Sequence, residues 1–233
     1  MERSAFEHLL KTENQWWNRG RAYAVCMALS RAAVTHYAKT LDYGAGFGAM
    51  YGTLKPVSGE LDAFEIDDEA CAGLSQRGYA HVYMSESETY HHRYDLVAFF
   101  DVLEHLEDDA ATLARTREAL TQEGRIVLTV PAMPFLWSGH DVEHHHFRRY
   151  TARSLRSLLE QEGFEIEYLR YWNVALFIPA AVMRPLGASG DASFTSSRLI
   201  DSLLYALIVV ETWIVRFVPL PFGISLVAVA HKK

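Results

Sequence analysis

A chain of 233 residues, half of them hydrophobic, can bury the core of one α/β domain with some decoration but is cramped for two. A net charge of −7 excludes a general nucleic-acid binder, because phosphate neutralisation needs a surplus of Lys and Arg on some face and the Arg148-Arg149 pair is too small to supply it. The two cysteines, Cys26 and Cys71, each sit in an apolar helical pattern and in no metal or redox spacing, so both are expected to be buried packing residues in a reducing cytoplasm.

The first residues, Met1 to Glu7, carry acids and no apolar run of the kind a secretory signal needs, which implies a cytoplasmic protein. Residues 2–36 place Phe6, Leu9, Leu10, Trp16, Trp17, Tyr23, Val25, Met27, Leu29 and Val34 in a helical pattern, and Gly20 is expected to break the run into two helices. From Thr40 short apolar strands are expected at 40–43, 61–66, 81–84, 96–100 and 126–130, with helices at 49–54, 69–77, 110–120 and 154–162. Strand and helix alternating at this spacing predict a parallel sheet with helices on both faces. After Gly163 come a strand at 165–172, a long apolar insertion at 174–218 and a last strand at 225–230, and the last two strands can pair as an antiparallel hairpin split by the insertion. The Gly-, Ser-, Ala- and Thr-rich stretch 187–197 reads as a mobile loop within it. The stretch Leu199 to Val218 carries Asp201, Glu211 and Arg216 and ends in Pro219-Leu220-Pro221, which argues against a spanning helix.

Asp42, Gly44, Gly46 and Gly48 fall where the first strand turns into a helix, so the glycines are expected to let the backbone pass close beneath a ligand that a Cβ would strike. A dinucleotide brings a pyrophosphate dianion to such a turn, whereas S-adenosylmethionine brings an ammonium, a carboxylate and a sulfonium, and Asp42 suits the latter ligand better. Glu65 lies 23 positions after Asp42 at the end of the second strand, where an acid can accept hydrogen bonds from both ribose hydroxyls. A solvated strand-end charge is the plainer reading of Glu65 on its own.

Together, Asp42-x-Gly44-x-Gly46-x-Gly48, Glu65 after a strand, and Tyr94-Asp95-Leu96-Val97 leading into Asp101-Val102-Leu103-Glu104-His105-Leu106 resemble the class I S-adenosylmethionine-dependent methyltransferases over roughly residues 38–172. The resemblance implies an α/β, Rossmann-like seven-stranded sheet of order 3-2-1-4-5-7-6 with strand 7 antiparallel. It implies one domain: a helical lid at 1–37, a cofactor-binding core at 38–172, an apolar helical insertion between strands 6 and 7 at 173–222, and a last strand at 223–233. By the same resemblance Asp42 and the three glycines hold the methionine end of S-adenosylmethionine and Glu65 holds the ribose. Ser85 and Glu86 would lie near the adenine, and Asp101 would lie beside the cofactor past the fourth strand.

Methyl transfer from a sulfonium is an in-line displacement, helped by a general base when the acceptor is a hydroxyl. His105, just past the fourth strand, is one candidate base, with a simple packing role before the next helix as the alternative. The other is the loop His140-Asp141-Val142-Glu143-His144-His145-His146-Phe147-Arg148-Arg149-Tyr150, which resembles a bacterial sub-group carrying an Asp, a Gly-His pair and Arg-Arg-Tyr; His145 stands where that sub-group has glycine. The preferred reading makes His146 the base, Asp141 its orienting acid, and Arg148 or Arg149, with Tyr150, the groups that receive the acceptor. In the plainer one Arg149 and Tyr150 anchor the loop. Four histidines and two acids within seven residues could also ligate a metal, but three adjacent histidines cannot all point one way, so no metal ligands are assigned. Near the N-terminus Glu13, Trp16, Trp17 and Arg21 resemble the same sub-group. One tryptophan is expected to face the cleft as part of a lid, with Trp16, Trp17 and Arg21 on the substrate.

The apolar surplus of the insertion suggests a cap over a hydrophobic acceptor, a homodimer interface, or peripheral contact with the inner membrane face, in that order. The activity so implied is O-methylation of a small hydrophobic, lipid-linked or secondary-metabolite acceptor, leaving S-adenosylhomocysteine. A non-catalytic S-adenosylmethionine-binding module and, less well, a dinucleotide-dependent oxidoreductase are the competing readings.

Overall fold

The computed structural model describes residues 15–32, 34–183 and 198–233. The expected helical positions Phe6, Leu9 and Leu10, Glu13 of the sub-group resemblance, and the whole of the loop 187–197 lie outside the described residues.

Seven strands form one sheet: β1 (Tyr37–Tyr43), β2 (Ser58–Phe64), β3 (Val82–Tyr83), β4 (Tyr94–Phe100), β5 (Leu120–Pro131), β6 (Phe164–Trp172) and β7 (Ser225–Lys232). Their order is β3-β2-β1-β4-β5-β7-β6, and β7 alone runs antiparallel to its neighbours β5 and β6. This is the order that the family resemblance implied. The central strands read as near-continuous apolar runs because helices cover both faces: in β4 every residue but Asp95 is buried.

One face packs α5 (Asp109–Ala119) and α7 (Ala152–Gln161) through Leu113, Leu155 and Leu159. The other packs α1 (Trp16–Leu29), α3 (Asp68–Arg77) and α9 (Arg198–Val215) through Val25, Leu74 and Ile208. Helix starts are fixed locally: Asp67 accepts a hydrogen bond from Ala70 N, Asp108 from Ala111 N and Thr151 from Ser154 N. Two short helices precede β2 and β4, α2 (Tyr51–Leu54) and α4 (Glu86–Thr89); α6 (Gly139–Glu143) follows β5 and α8 (Phe177–Met183) follows β6.

Two expectations are overturned in α1. Gly20 does not break the helix, which runs through it; the missing side chain instead lets α1 and α9 approach, since a Cβ there would stand 2.9 Å from Ile208 Cγ2. Cys26 is exposed on the outer side of α1, and only Cys71 is buried.

The insertion is fastened to this helix and to the sheet. Asp201 accepts Trp16 N at 2.9 Å, the Arg19 guanidinium lies 3.8 Å from the Tyr205 ring centre, and the Glu211 carboxylate accepts Val174 N at 2.6 Å and Ala175 N at 2.7 Å. The buried residues of α9, Ile208, Glu211, Thr212 and Val215, form one helical stripe. Leu203, Leu207, Val210, Trp213 and Ile214 remain exposed on the other side. Among the described residues no helix is long and apolar enough to cross a membrane.

Replacing Gly20 with Leu should cost about 2 kcal/mol in urea unfolding through overpacking. Adding Ile208→Ala should recover more than half of that loss, because the two side chains would compete for one space.

Candidate active site

The parallel strands end on one edge of the sheet, and the chain leaves that edge through left-handed residues: Gly44 after β1, Asp101 after β4, Met133 after β5 and Asn173 after β6. All but one of the expected site residues cluster near these turns or on α1, which faces them; Ser85 follows β3.

The three glycines of the first turn all have positive φ (68°, 53° and 80°) but do different things. A Cβ at Gly44 would meet Val102 Cγ2 at 2.8 Å, and one at Gly48 would meet Arg77 Cδ at 2.9 Å and Leu74 Cδ2 at 3.0 Å, so these two serve packing rather than clearance for a ligand. Only Gly46 has open space before it. Its N–H donates to Glu65 Oε2 at 2.7 Å, while Glu65 Oε1 accepts Ile66 N at 2.7 Å and Asp67 N at 3.0 Å. Glu65 is therefore a held carboxylate, not a loosely solvated one.

Asp42 is buried at the end of β1 and accepts the Tyr79 hydroxyl at 2.7 Å. Burial pushes its carboxyl up to about 6, against the opposing pull of Tyr79 and Arg21. Tyr79 escaped sequence reasoning because its partner lies 37 positions away. Ser85 is exposed at the start of α4, its hydroxyl 2.8 Å from that of Ser87. Glu86 is engaged with the hydroxyls of Tyr43 and Tyr90 and with Arg115, so its carboxylate is spent on the protein rather than offered to adenine.

Asp101 accepts the Thr129 hydroxyl at 2.9 Å on one oxygen and Arg21 Nη1 at 2.7 Å on the other. Arg21 also donates to Asn18, so this guanidinium latches α1 to the end of β4 instead of standing free for a substrate. Of the tryptophan pair, Trp16 is buried in the α1 core, and Trp17 rests on Trp172, the last residue of β6, with ring centres 5.3 Å apart.

The loop after β5 returns to the strand it left: Tyr150 N donates to Pro131 O and Met133 N to Tyr150 O. The residues expected to receive substrate are committed to this closure. Arg149 is buried and donates to Asp141 Oδ1 at 2.7 Å and to the Ala132 carbonyl at 3.0 Å. Arg148 donates to the Glu107 carbonyl and pairs with Asp109 at 2.7 Å, and the buried Tyr150 hydroxyl donates to Asp109 at 2.6 Å. All three thus anchor the loop, two of them on the first residue of α5. His145, in the place where the sub-group has glycine, adopts φ 56°, so the left-handed turn persists without the residue that makes it cheap.

Asp141 is fully buried and is the N3 partner in a capping box with Ser138. Burial alone would raise its carboxyl; hydrogen bonds from His146, Arg149 and Ser138 outweigh that and hold it far below the usual carboxylate range. His146 Nδ1 lies 2.9 Å from Asp141 Oδ1; with that nitrogen donating to the carboxylate, Nε2 is left as an acceptor. The His105 ring stands edge-on to His146, centres 4.6 Å apart. His105 belongs to a 3-10 turn (Leu103–His105), and the next helix is capped by Asp108 instead.

Glu104 is the residue that sequence reasoning passed over. It is 1% exposed, neither carboxylate oxygen has a hydrogen-bond partner among the described residues, and burial beside Asp101 pushes its carboxyl well above the usual range. The signal available was an acid set in the apolar run Val102-Leu103-Glu104-His105-Leu106.

A family model described as "Methyltransferase domain" matches residues 17–169, about two thirds of the chain. The chain belongs to this methyltransferase family. No curated protein matches it by sequence. Among solved structures, the methyltransferase is similar to the Haloferax volcanii complex between the Trm112 methyltransferase activator and a putative methyltransferase (16% identity, TM-score 0.61, 97% of this chain and 93% of that one). It is similar as well to a putative methyltransferase from Bacillus halodurans (16%, 0.56, 90% and 98%). A third is the N-methyltransferase NodS from Bradyrhizobium japonicum, solved with S-adenosylhomocysteine (14%, 0.54, 90% and 84%). At these identities the likeness is one of fold: the class I methyltransferase fold. Membership of this family leaves the oxidoreductase reading without support.

Two substitutions test the loop. His145→Gly should raise stability by up to about 1 kcal/mol, since glycine adopts the left-handed conformation without the Cβ penalty. Asp141→Asn should lower it by about 3 kcal/mol, leaving Arg149 buried without its counter-charge. Denaturant unfolding of each variant reads both.

Proposed function

We propose that this methyltransferase transfers the methyl group of S-adenosylmethionine to a hydroxyl of a small hydrophobic or lipid-linked acceptor. The observation that carries the reading is the meeting, on one sheet edge, of the Asp42–Gly46–Glu65 turn with the Asp141–His146 pair. When bound, S-adenosylmethionine supplies an electrophilic methyl on a sulfonium.

The residues fit that donor. Asp42 offers a carboxylate suited to a cationic amino-acid end, Gly46 leaves open space beside the backbone, and Glu65 holds a carboxylate in the ribose position of related nucleoside-binding folds. Asp101 and Ser85 follow β4 and β3 at the same edge of the sheet. The Arg21–Asp101 contact and Trp17 against Trp172 bring α1 over this edge, where it excludes water from the reacting groups.

On the acceptor side, His146 Nε2 takes the hydroxyl proton while Asp141 fixes the ring and stabilises the imidazolium that results. Exposed Phe135, Trp137 and Phe147 on the same loop, with Ile178 and Val182 on α8, support a hydrophobic acceptor. The exposed stripe of α9 supports delivery of that acceptor from a lipid surface.

Calorimetry tests donor binding and its pH dependence together. Asp42 carries its proton below about 6 and is ionised above; the ionised form attracts the ligand ammonium. Affinity for S-adenosylmethionine should therefore rise about tenfold from pH 5 to pH 7 and then level, and Asp42→Asn should flatten that profile. Lack of binding at millimolar donor would end the proposal. His146→Ala should leave donor binding within about twofold and cut labelled methyl transfer to a cell lipid extract about 10²–10⁴-fold.

A further inference from the structure

We propose that Glu104, His105 and His146 form a binding site for one first-row divalent cation of the zinc or cobalt type, on the acceptor side of the sheet edge. The sequence places four histidines in a single loop, where adjacent imidazoles diverge. The fold instead pairs one of them, His146, with two residues from the turn after β4. The ligand atoms of Glu104, His105 and His146 all lie within 4.8 Å of one another. An ion with bonds of about 2.0–2.2 Å keeps its ligands about 3–4 Å apart, a contraction that rotation of the exposed His105 ring can supply.

Glu104 points to the ion independently of that spacing. A carboxylate with no hydrogen-bond partner in a buried place is costly to maintain, and a coordinated cation removes the cost. The nearby arginines do not remove it: Arg21 is hydrogen-bonded to Asp101 and Asn18, and Arg149 to Asp141 and the Ala132 carbonyl. The second piece of support is Asp141. By holding Nδ1 of His146 it fixes the tautomer that presents Nε2 as a ligand, the carboxylate–histidine arrangement that orients metal-binding imidazoles.

A comparable cluster elsewhere shows the contrast. Glu60, Asp62 and His81 also come within ligand distance of one another, but the Lys39 ammonium already contacts both carboxylates there. Among the described residues the Glu104 carboxylate has no such resident cation. Two imidazoles and one carboxylate favour zinc, cobalt or manganese over magnesium or calcium, and three protein ligands leave positions for water or an acceptor oxygen. The inference rests on His146 being an acceptor-side residue and changes its part: with an ion bound, His146 would be a ligand, the metal would acidify a coordinated acceptor hydroxyl, and the proton released as the oxygen takes the methyl group would pass to solvent water.

Chelator-stripped full-length protein titrated with Co²⁺ tests this through the visible d–d bands of the ion. One Co²⁺ per chain is expected, with affinity at least about tenfold weaker in His105→Ala, His146→Ala and Glu104→Gln, and bands retained in a His140→Ala/His144→Ala double variant. Absence of saturable one-equivalent binding, or bands that vanish with His140 and His144 while surviving His105→Ala, would overturn the site. Because His105 is exposed, its variant keeps the test valid should Glu104→Gln fail to fold. Calorimetry with S-adenosylmethionine on the same samples separates the two ideas: donor binding without Co²⁺ binding sinks the metal site and leaves the methyl-transfer reading standing.

Discussion

The buried Asp141 carboxylate is the interaction on which the loop after β5 depends. It accepts hydrogen bonds from Ser138 N and Oγ, His146 Nδ1 and Arg149 Nε. An isolated ion in that place would be prohibitively costly, so the charge persists only because Arg149 and three other donors surround it. Each donor also does positional work. Ser138 starts α6, Arg149 carries the loop back to the Ala132 carbonyl at the end of β5, and His146 is aimed toward His105 and Glu104. The loop after β5 is thereby tied to the sheet through one buried charge, and the placement of His146 depends on the same carboxylate that holds the loop closed.

The same economy governs the turns at the strand ends. Asp101, Met133 and Asn173 occupy left-handed backbone that costs a non-glycine residue about 1–2 kcal/mol. Such strain survives where the surroundings overdetermine the conformation. At Asp101 the reason is visible: the turn aims both carboxylate oxygens, one at Thr129 on β5 and one at Arg21 on α1, so one residue ties two strands and the lid helix together.

The turns after β1 and β2 were more legible in the sequence than the loop after β5, and the reason is local. Gly44, Gly46, Gly48 and Glu65 sit in backbone turns whose geometry follows from spacing along the chain. Arg148, Arg149 and Tyr150 act through partners set by the fold: Asp109 lies about forty positions from Arg148 and Tyr150, and residue type alone reads an arginine as a free anion receptor until its partner is in view. Gly20 misled in the opposite direction, because a helix breaker and a close-packing residue look identical until the second helix arrives. Strand ends shifted by up to three residues in most of the sheet, and β5 began six residues early, because pairing extends strands past the apolar run that announces them.

The insertion shows how charge within an apolar stretch can be read correctly and for an incomplete reason. Asp201 and Glu211 do argue against a spanning helix, yet neither is there to face water. Each is turned inward on backbone N–H groups, Asp201 at the start of α1 and Glu211 at the exit from β6, so these acids hold α9 to the domain. With the polar residues consumed on the inner stripe, the outer stripe of α9 is left almost purely apolar, and neither side of the helix has the amphipathic pattern that composition would suggest. The charges of α9 thus fasten it to α1 and to the exit from β6 while its outer apolar residues stay exposed. Through Arg21 and Trp17, α1 in turn reaches the edge of the sheet at the ends of β4 and β6.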